Sequence, residues 1–256
     1  MKSFEQFCIV VALLSASTAS NADTGTVSRQ TGAFTASFTT KELLGEAASR
    51  IESVISQDEP ITWEIFVPPS YRPDSPAGLL VYVSPSPSGA LPRGWSRVMD
   101  EHNLIWISAN KSGNRVLVPR RVLLAILAIS AAQQSYAVDA QRVYISGFSG
   151  GGKVASMVAT EYARTFKGGI FICGVEFWQV EHPRYFEYMK SNHYVFLTGD
   201  YDQALEPTKQ VFRAYRGAGI EGTKLMVIRD MGHSTPKYYD LAKAIVFLDS
   251  PDDAAQ

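Results

Sequence analysis

The chain has 256 residues, of which 46% are hydrophobic and 19% charged, and a formal net charge of −1. Such a length and composition suit one large globular domain with ample core material. The near-zero charge excludes a global electrostatic pull toward nucleic acid or anionic lipid and fits a domain acting on small or uncharged ligands.

In chain order, the first 22 residues differ from the rest. Lys2 precedes an apolar run from Phe7 to Leu14, and Ser20-Asn21-Ala22 has the small-x-small form of a cleavage site. The run is too short to span a bilayer. Residues 1–22 are therefore expected to be a secretory signal, placing the mature protein in the periplasm or outside the cell. Cys8 lies inside the apolar run, too early for a lipid attachment site. Its removal would leave Cys173 alone, so no intrachain disulfide is expected. Cys173 sits in the apolar run Gly169-Ile170-Phe171-Ile172-Cys173 and reads as a small buried hydrophobe. No later stretch is long and apolar enough for a membrane span.

Residues 23–55 read as an N-terminal lead-in: 23–40 are rich in Thr, Ser, Ala and Gly, and a helix is expected over 41–55. Residues 56–250 form the expected domain. Strands are expected over 62–67, 79–83, 104–109, 143–147, 169–173, 194–198 and 224–228. Several are apolar on both faces, as in Leu79-Leu80-Val81-Tyr82-Val83, which marks strands buried between two helix layers. Helices are expected between them over 95–101, 121–136, 151–163, 183–190, 206–216 and 236–248. This alternation predicts an α/β fold: a mostly parallel sheet with helices on both faces. Reacting groups in such sheets gather at the carboxyl ends of the strands.

One motif stands in that position. Gly147-Phe148-Ser149-Gly150-Gly151 matches G-x-S-x-G, with the strand Val143-Tyr144-Ile145-Ser146 entering it and a helical segment leaving it. Strand, sharp turn and helix form the setting a nucleophile elbow requires. The plainer alternative is a glycine-rich turn in which the serine only caps the helix. The same residues begin a G-x-x-x-x-G-K phosphate loop, but Val154 stands where a Mg²⁺-binding hydroxyl is needed, which argues against a nucleotide.

A serine nucleophile needs a base. Of the four histidines, His102 and His193 precede strands and His182 lies in a His-Pro turn. His233 alone follows a late strand, in Asp230-Met231-Gly232-His233-Ser234. The base in turn needs an orienting carboxylate. Asp200 and Asp202 both follow the strand ending at Gly199; Asp202 is preferred because two further residues let the chain turn toward His233. Asp200 stays open as the alternative and Asp230 as a third choice. The chain order Ser, Asp, His is that of a strand-borne elbow serine. For the oxyanion the expected donors are the Gly150 N–H and, in Ser84-Pro85-Ser86-Pro87-Ser88-Gly89, the Ser86 N–H, since both prolines lack one. Phe148, Asn114 in the loop after 104–109, and Trp178 beyond 173 are candidate substrate contacts.

The block Asp139-Ala140-Gln141-Arg142-Val143-Tyr144-Ile145-Ser146-Gly147-Phe148-Ser149-Gly150-Gly151-Gly152 resembles the α/β-hydrolase superfamily, and more narrowly its secreted polyhydroxybutyrate-depolymerase and feruloyl-esterase-like esterases. The superfamily resemblance covers roughly 62–248. It implies an α/β-hydrolase fold and an esterase with no cofactor. One departure is that Ser84-Pro85 stands where many relatives carry a His-Gly pair. No long insertion follows 169–173, so no large lid is expected, and no His or Cys cluster has metal-ligand spacing. The expectation is thus a serine esterase acting on a small-molecule or polymer-bound ester, without metal, nucleic acid or membrane span. A serine peptidase on the same fold and a non-catalytic binding protein are the rivals.

Overall fold

A computed structural model describes residues 30–178 and 183–249. The expected leader over 1–22, with Cys8, and His182 lie outside these residues. The chain runs β1 (Gly32–Phe38), α1 (Thr40–Leu44) with a 3₁₀ continuation (Gly45–Ile51), β2 (Ile61–Val67), β3 (Ala77–Val83), α2 (Trp95–Glu101), β4 (Leu104–Ala109), α3 (Val118–Gln133), β5 (Val138–Phe148), α4 (Gly150–Glu161), β6 (Gly168–Ile172), α5 (Phe186–Lys190), β7 (His193–Gly199), α6 (Leu205–Gly217), β8 (Thr223–Ile228) and α7 (Tyr238–Asp249). The eight strands form one sheet in the order β1-β2-β4-β3-β5-β6-β7-β8. β1 pairs antiparallel with β2 and β2 antiparallel with β4, while every pairing from β4 to β8 is parallel.

The two-faced burial read from the sequence follows from the period of two along each strand. Leu79, Val81, Val83, Ile105 and Ile107 face one core, shared with Leu123, Leu127 and Ile129 of α3, Val154 and Val158 of α4, and Tyr215 of α6. Leu80, Tyr82, Leu104 and Trp106 face the other, shared with Trp95 and Val98 of α2 and Leu241, Ile245 and Leu248 of α7. All seven residues of β3 are buried, as a central parallel strand requires.

Three expectations are corrected. The segment read as a loose lead-in contains β1, whose Gly32–Phe38 register runs against Ile61–Val67. Its inward residues Phe34, Ala36 and Phe38 pack on the core while the small and polar ones between them point outward. The single helix expected over 41–55 is broken. A capping box starts α1: the Glu42 N–H donates to Thr39 Oγ1 and the Thr39 N–H to Glu42 Oε2. Gly45, at φ 56°, then ends it and a 3₁₀ turn takes over. β5 also begins earlier than expected, at Val138, through an irregular register against β3 between Ala77 and Leu79.

Candidate active site

β5 delivers Ser149 at φ 56° and ψ −123°, a conformation that side-chain-bearing residues rarely adopt. Close backbone approach explains the flanking glycines. A Cβ on Gly151 would lie 1.9 Å from the Val83 carbonyl oxygen, and one on Gly147 would lie 2.3 Å from that of Gly151. α4 therefore starts hard against the end of β3, and the Ser149 N–H is tied to the Ile172 carbonyl of β6 at 2.8 Å. The turn projects the serine hydroxyl above the sheet at the head of α4, whose first N–H groups have no intrahelical acceptor.

His233, in the loop between β8 and α7, places Nε2 2.8 Å from Ser149 Oγ. Its Nδ1 lies 2.9 Å from Asp202 Oδ1. A carboxylate only accepts, so Nδ1 carries the hydrogen and Nε2 is left to accept from the serine hydroxyl. Asp202 occupies the turn after β7, and its side chain is fully buried. Its Oδ1 also accepts the Ala204 N–H at 2.9 Å, and its Oδ2 accepts the Thr198 hydroxyl at 3.1 Å. Burial alone would raise this carboxyl. The Ala204 N–H, the Cys173 thiol and His233 together outweigh that and hold it below the usual carboxylate value. The structure thus brings Ser149, His233 and Asp202 into one hydrogen-bonded chain. Asp200 is exposed and ties its N–H to the Ile228 carbonyl. Asp230, at φ 58°, lies 3.7 Å from Arg229 on the surface. Neither reaches His233.

Cys173, read from the sequence as a small buried hydrophobe and indeed buried, and Thr198, which the sequence did not single out, are members of this neighbourhood. Cys173 leaves β6 at φ 52°, with its Sγ 3.4 Å from the Ser234 carbonyl oxygen. Burial, and then the adjacent Asp202 carboxylate, push its thiol up to about 12, so it stays a protonated donor and not a nucleophile. Among the described residues, Cys173, Asp202 and His233 are the one group whose ligand atoms cluster within 4.8 Å. The His233–Asp202 pair is already a direct hydrogen bond, so a metal ion there would have to separate it.

The oxyanion donors are placed unequally. Gly150 opens α4, leaving its N–H outside the helix ladder. Ser86 departs from the expectation of an open donor: its N–H donates to Ser84 Oγ at 3.1 Å. Pro85 makes the turn tight enough for the hydroxyl two residues back to capture it. Of the candidate substrate contacts, Phe148 lies beside His233 with ring centroids 5.0 Å apart. Asn114 leans on Gly150, where a Cβ would meet its Oδ1 at 2.3 Å. Trp178 stays away from the triad atoms, stacked on Phe177 and set against Tyr215 and Phe186.

The ends of three strands, β5, β7 and β8, thus bring Ser149, Asp202 and His233 together, in that chain order, on a mostly parallel eight-stranded sheet. The chain has the α/β-hydrolase fold. A ferulic acid esterase aligns with it at a TM-score of 0.61 and 15% identity, over 88% of this chain and 98% of that one. The S-formylglutathione hydrolase of Staphylococcus aureus aligns at 0.60 and 12%, over 87% and 100%. The dipeptidyl peptidase 4 of Porphyromonas gingivalis aligns at 0.54 and 19%, over 73% of this chain, which spans only 33% of that one. The model of the prolyl oligopeptidase family matches residues 125–190, the stretch that carries the Ser149 turn. No curated protein sequence matches the chain. Among the described residues no large lid covers the site, and no helix is long and apolar enough to cross a membrane.

Proposed function

We propose that the protein is a serine hydrolase that cleaves carboxylic esters through an acyl-enzyme on Ser149. The observation that carries the reading is the Ser149–His233–Asp202 chain, at 2.8 and 2.9 Å, built on a serine held at positive φ. In this mechanism Ser149 Oγ attacks the acyl carbon as its proton passes to His233 Nε2, and Asp202 stabilises the charged imidazole. The Gly150 N–H holds the oxyanion, joined by the Ser86 N–H when the substrate oxygen displaces Ser84 Oγ. The intermediate collapses as His233 returns the proton to the departing alcohol. Water then adds to the acyl-enzyme by the same route and frees Ser149. An uncovered site suits bulky or polymer-bound esters, and the likeness to a ferulic acid esterase supports testing aryl esters first. The prolyl oligopeptidase match over 125–190 favours a second reading, a peptidase using the same groups. The short apolar run from Phe7 to Leu14 followed by Ser20-Asn21-Ala22 supports export to the periplasm or beyond.

A fluorophosphonate probe tests the chemistry. It should label the wild-type protein, and Ser149→Ala should abolish labelling together with turnover of aryl, acetyl, feruloyl and polyester substrates. Labelling that survives the substitution removes Ser149 from the mechanism. Turnover of aminoacyl-anilides above that of every ester moves the protein to the peptidase reading.

A further inference from the structure

Two adjacent arginines at the start of α3 have opposite fates. Arg120 turns outward and pairs with Glu59. Arg121 is 3% exposed and pairs with no carboxylate among the described residues. Its guanidinium instead donates to three backbone carbonyls. Nε reaches Ser112 at 2.8 Å, Nη2 reaches Ser84 at 3.0 Å and Nη1 reaches Gly150 at 3.3 Å. These carbonyls belong to the loops after β3, β4 and β5. Ser84 anchors the turn that carries Ser86, and Gly150 is the residue next to the nucleophile. Ser112 precedes Asn114, whose own N–H returns to the Pro85 carbonyl at 2.9 Å.

A buried cation with no counter-ion is expensive. Burial lowers the guanidinium pKa, yet its ordinary value is so high that the group stays charged. If the task were only to bridge three carbonyls, a neutral amide would do part of it without that penalty. A positive charge kept behind the two segments that carry the oxyanion donors, the Ser84–Ser86 turn and Gly150, is complementary instead to a negative charge present only during reaction.

We propose that Arg121 is the positioning residue of the oxyanion hole. Its three-pronged contact holds the Ser84–Ser86 turn and Gly150 at a fixed separation, and its uncompensated charge favours the oxyanion over the neutral ester carbonyl. This rests on the hydrolase reading above. The role requires Arg: the fork spans three acceptors, which a Lys ammonium on one point of attachment does not reproduce.

The test compares Arg121→Gln and Arg121→Lys with the wild-type full chain on one aryl ester. It adds the inhibition constant of a trifluoromethyl ketone matched to that ester. The ketone reacts reversibly with Ser149 Oγ, whose proton passes to His233, and so places an oxyanion in the hole. Arg121→Gln should lower kcat on the order of tenfold to a hundredfold, with KM within about threefold, and should weaken the ketone by a matching factor. Arg121→Lys should recover part of both losses. Unchanged kcat and ketone affinity in folded Arg121→Gln would overturn the proposal, as would equal losses in KM and kcat. If Arg121→Gln does not fold, the Lys variant decides by the same split. Loss of fold in both variants would overturn the proposal in favour of a purely structural cation. Failure of the hydrolase reading looks different: the wild-type chain itself would be neither labelled at Ser149 nor active.

Discussion

Asp200 and Asp202 stand two residues apart in one turn, yet their surroundings differ in every respect that matters for chemistry. Asp202 is buried, accepts hydrogen bonds from Ala204, Thr198 and His233, and is held below the usual carboxylate range. Asp200 is exposed. In Asp202→Asn with the amide nitrogen at the Oδ1 position, the remaining oxygen still accepts from Thr198 while the Ala204 N–H loses its acceptor, so the turn keeps one of its two ties and should survive. Its amide would then face His233 with a donor where an acceptor is needed, and the imidazole would settle in the wrong tautomer. The expected result is a folded protein whose turnover falls by roughly three to four powers of ten. Asp200→Asn should keep turnover within about threefold and shift stability by less than about 0.5 kcal/mol. Paired kinetics and thermal melts check this, and equal activity of the two variants would remove the acid role from Asp202. The sequence preferred Asp202 but left Asp200 and Asp230 open, because the difference lies in which aspartate the fold brings to the β8–α7 loop. The histidine that meets Ser149 and Asp202 was more accessible to sequence reasoning, since of the four histidines His233 alone follows a late strand. Arg121 was not singled out in the sequence, and only the packing of three segments against α3 reveals that it is buried.

At the scale of elements, the strands with two apolar faces announced themselves, and the elbow was recognisable because strand, glycine-rich turn and helix follow one another without a gap. The glycines there answer to close approach, which makes a direct test. Gly151→Ala would push a methyl group to 1.9 Å from the Val83 carbonyl oxygen, so α4 could not stay seated against β3. A loss of about 2–4 kcal/mol is expected, with loss of activity. Gly217, in the last turn of α6, has no positive φ, and a methyl group added there would meet nothing within 4 Å. Gly217→Ala should therefore stabilise the protein by about 0.4–1 kcal/mol, by restricting the unfolded chain, and leave activity untouched. Chemical denaturation of both variants separates the two effects. A destabilised Gly217→Ala would contradict the open space at the last turn of α6, and a Gly151→Ala indistinguishable from wild type would contradict the packing described around the elbow.

On the scale of the whole molecule, the sheet is longer by one strand than its composition suggested, and that strand is connected to the site. β1 escaped sequence reasoning because its outward positions, Ala33, Thr35 and Ser37, are those of a solvated edge, and only Phe34 and Phe38 mark the inward face. Phe34 lies beside Tyr136 and Phe38 beside Trp63, with ring centroids 6.5 and 6.4 Å apart. From β1 a polar chain runs inward. Thr35 Oγ1 donates to Glu64 Oε2, Asn110 Nδ2 donates to Glu64 Oε1, and the Gly89 N–H donates to Asn110 Oδ1. Gly89 closes the loop that carries Ser84 and Ser86. A chain beginning at Asp23 keeps all of this and should melt with the full-length protein. A chain beginning at Thr39 lacks β1 but keeps the Thr39 side chain that caps α1, and exposes the apolar surface that the two phenylalanines of β1 cover. At about 1.5–3 kcal/mol for each buried aromatic, discounted because both are only partly buried, a loss of about 2–4 kcal/mol is expected. For a domain of this size that corresponds to a fall in Tm on the order of 10 °C. The loosened Gly89 end should also lower kcat for an aryl ester more than it raises KM, because the oxyanion loop loses one of its anchors while the triad keeps all of its own. Equal melting temperatures for the two truncated chains would mean that β1 adds nothing to the core. A lower Tm with unchanged kcat would confine its role to stability and break the proposed link from the sheet edge to the oxyanion loop.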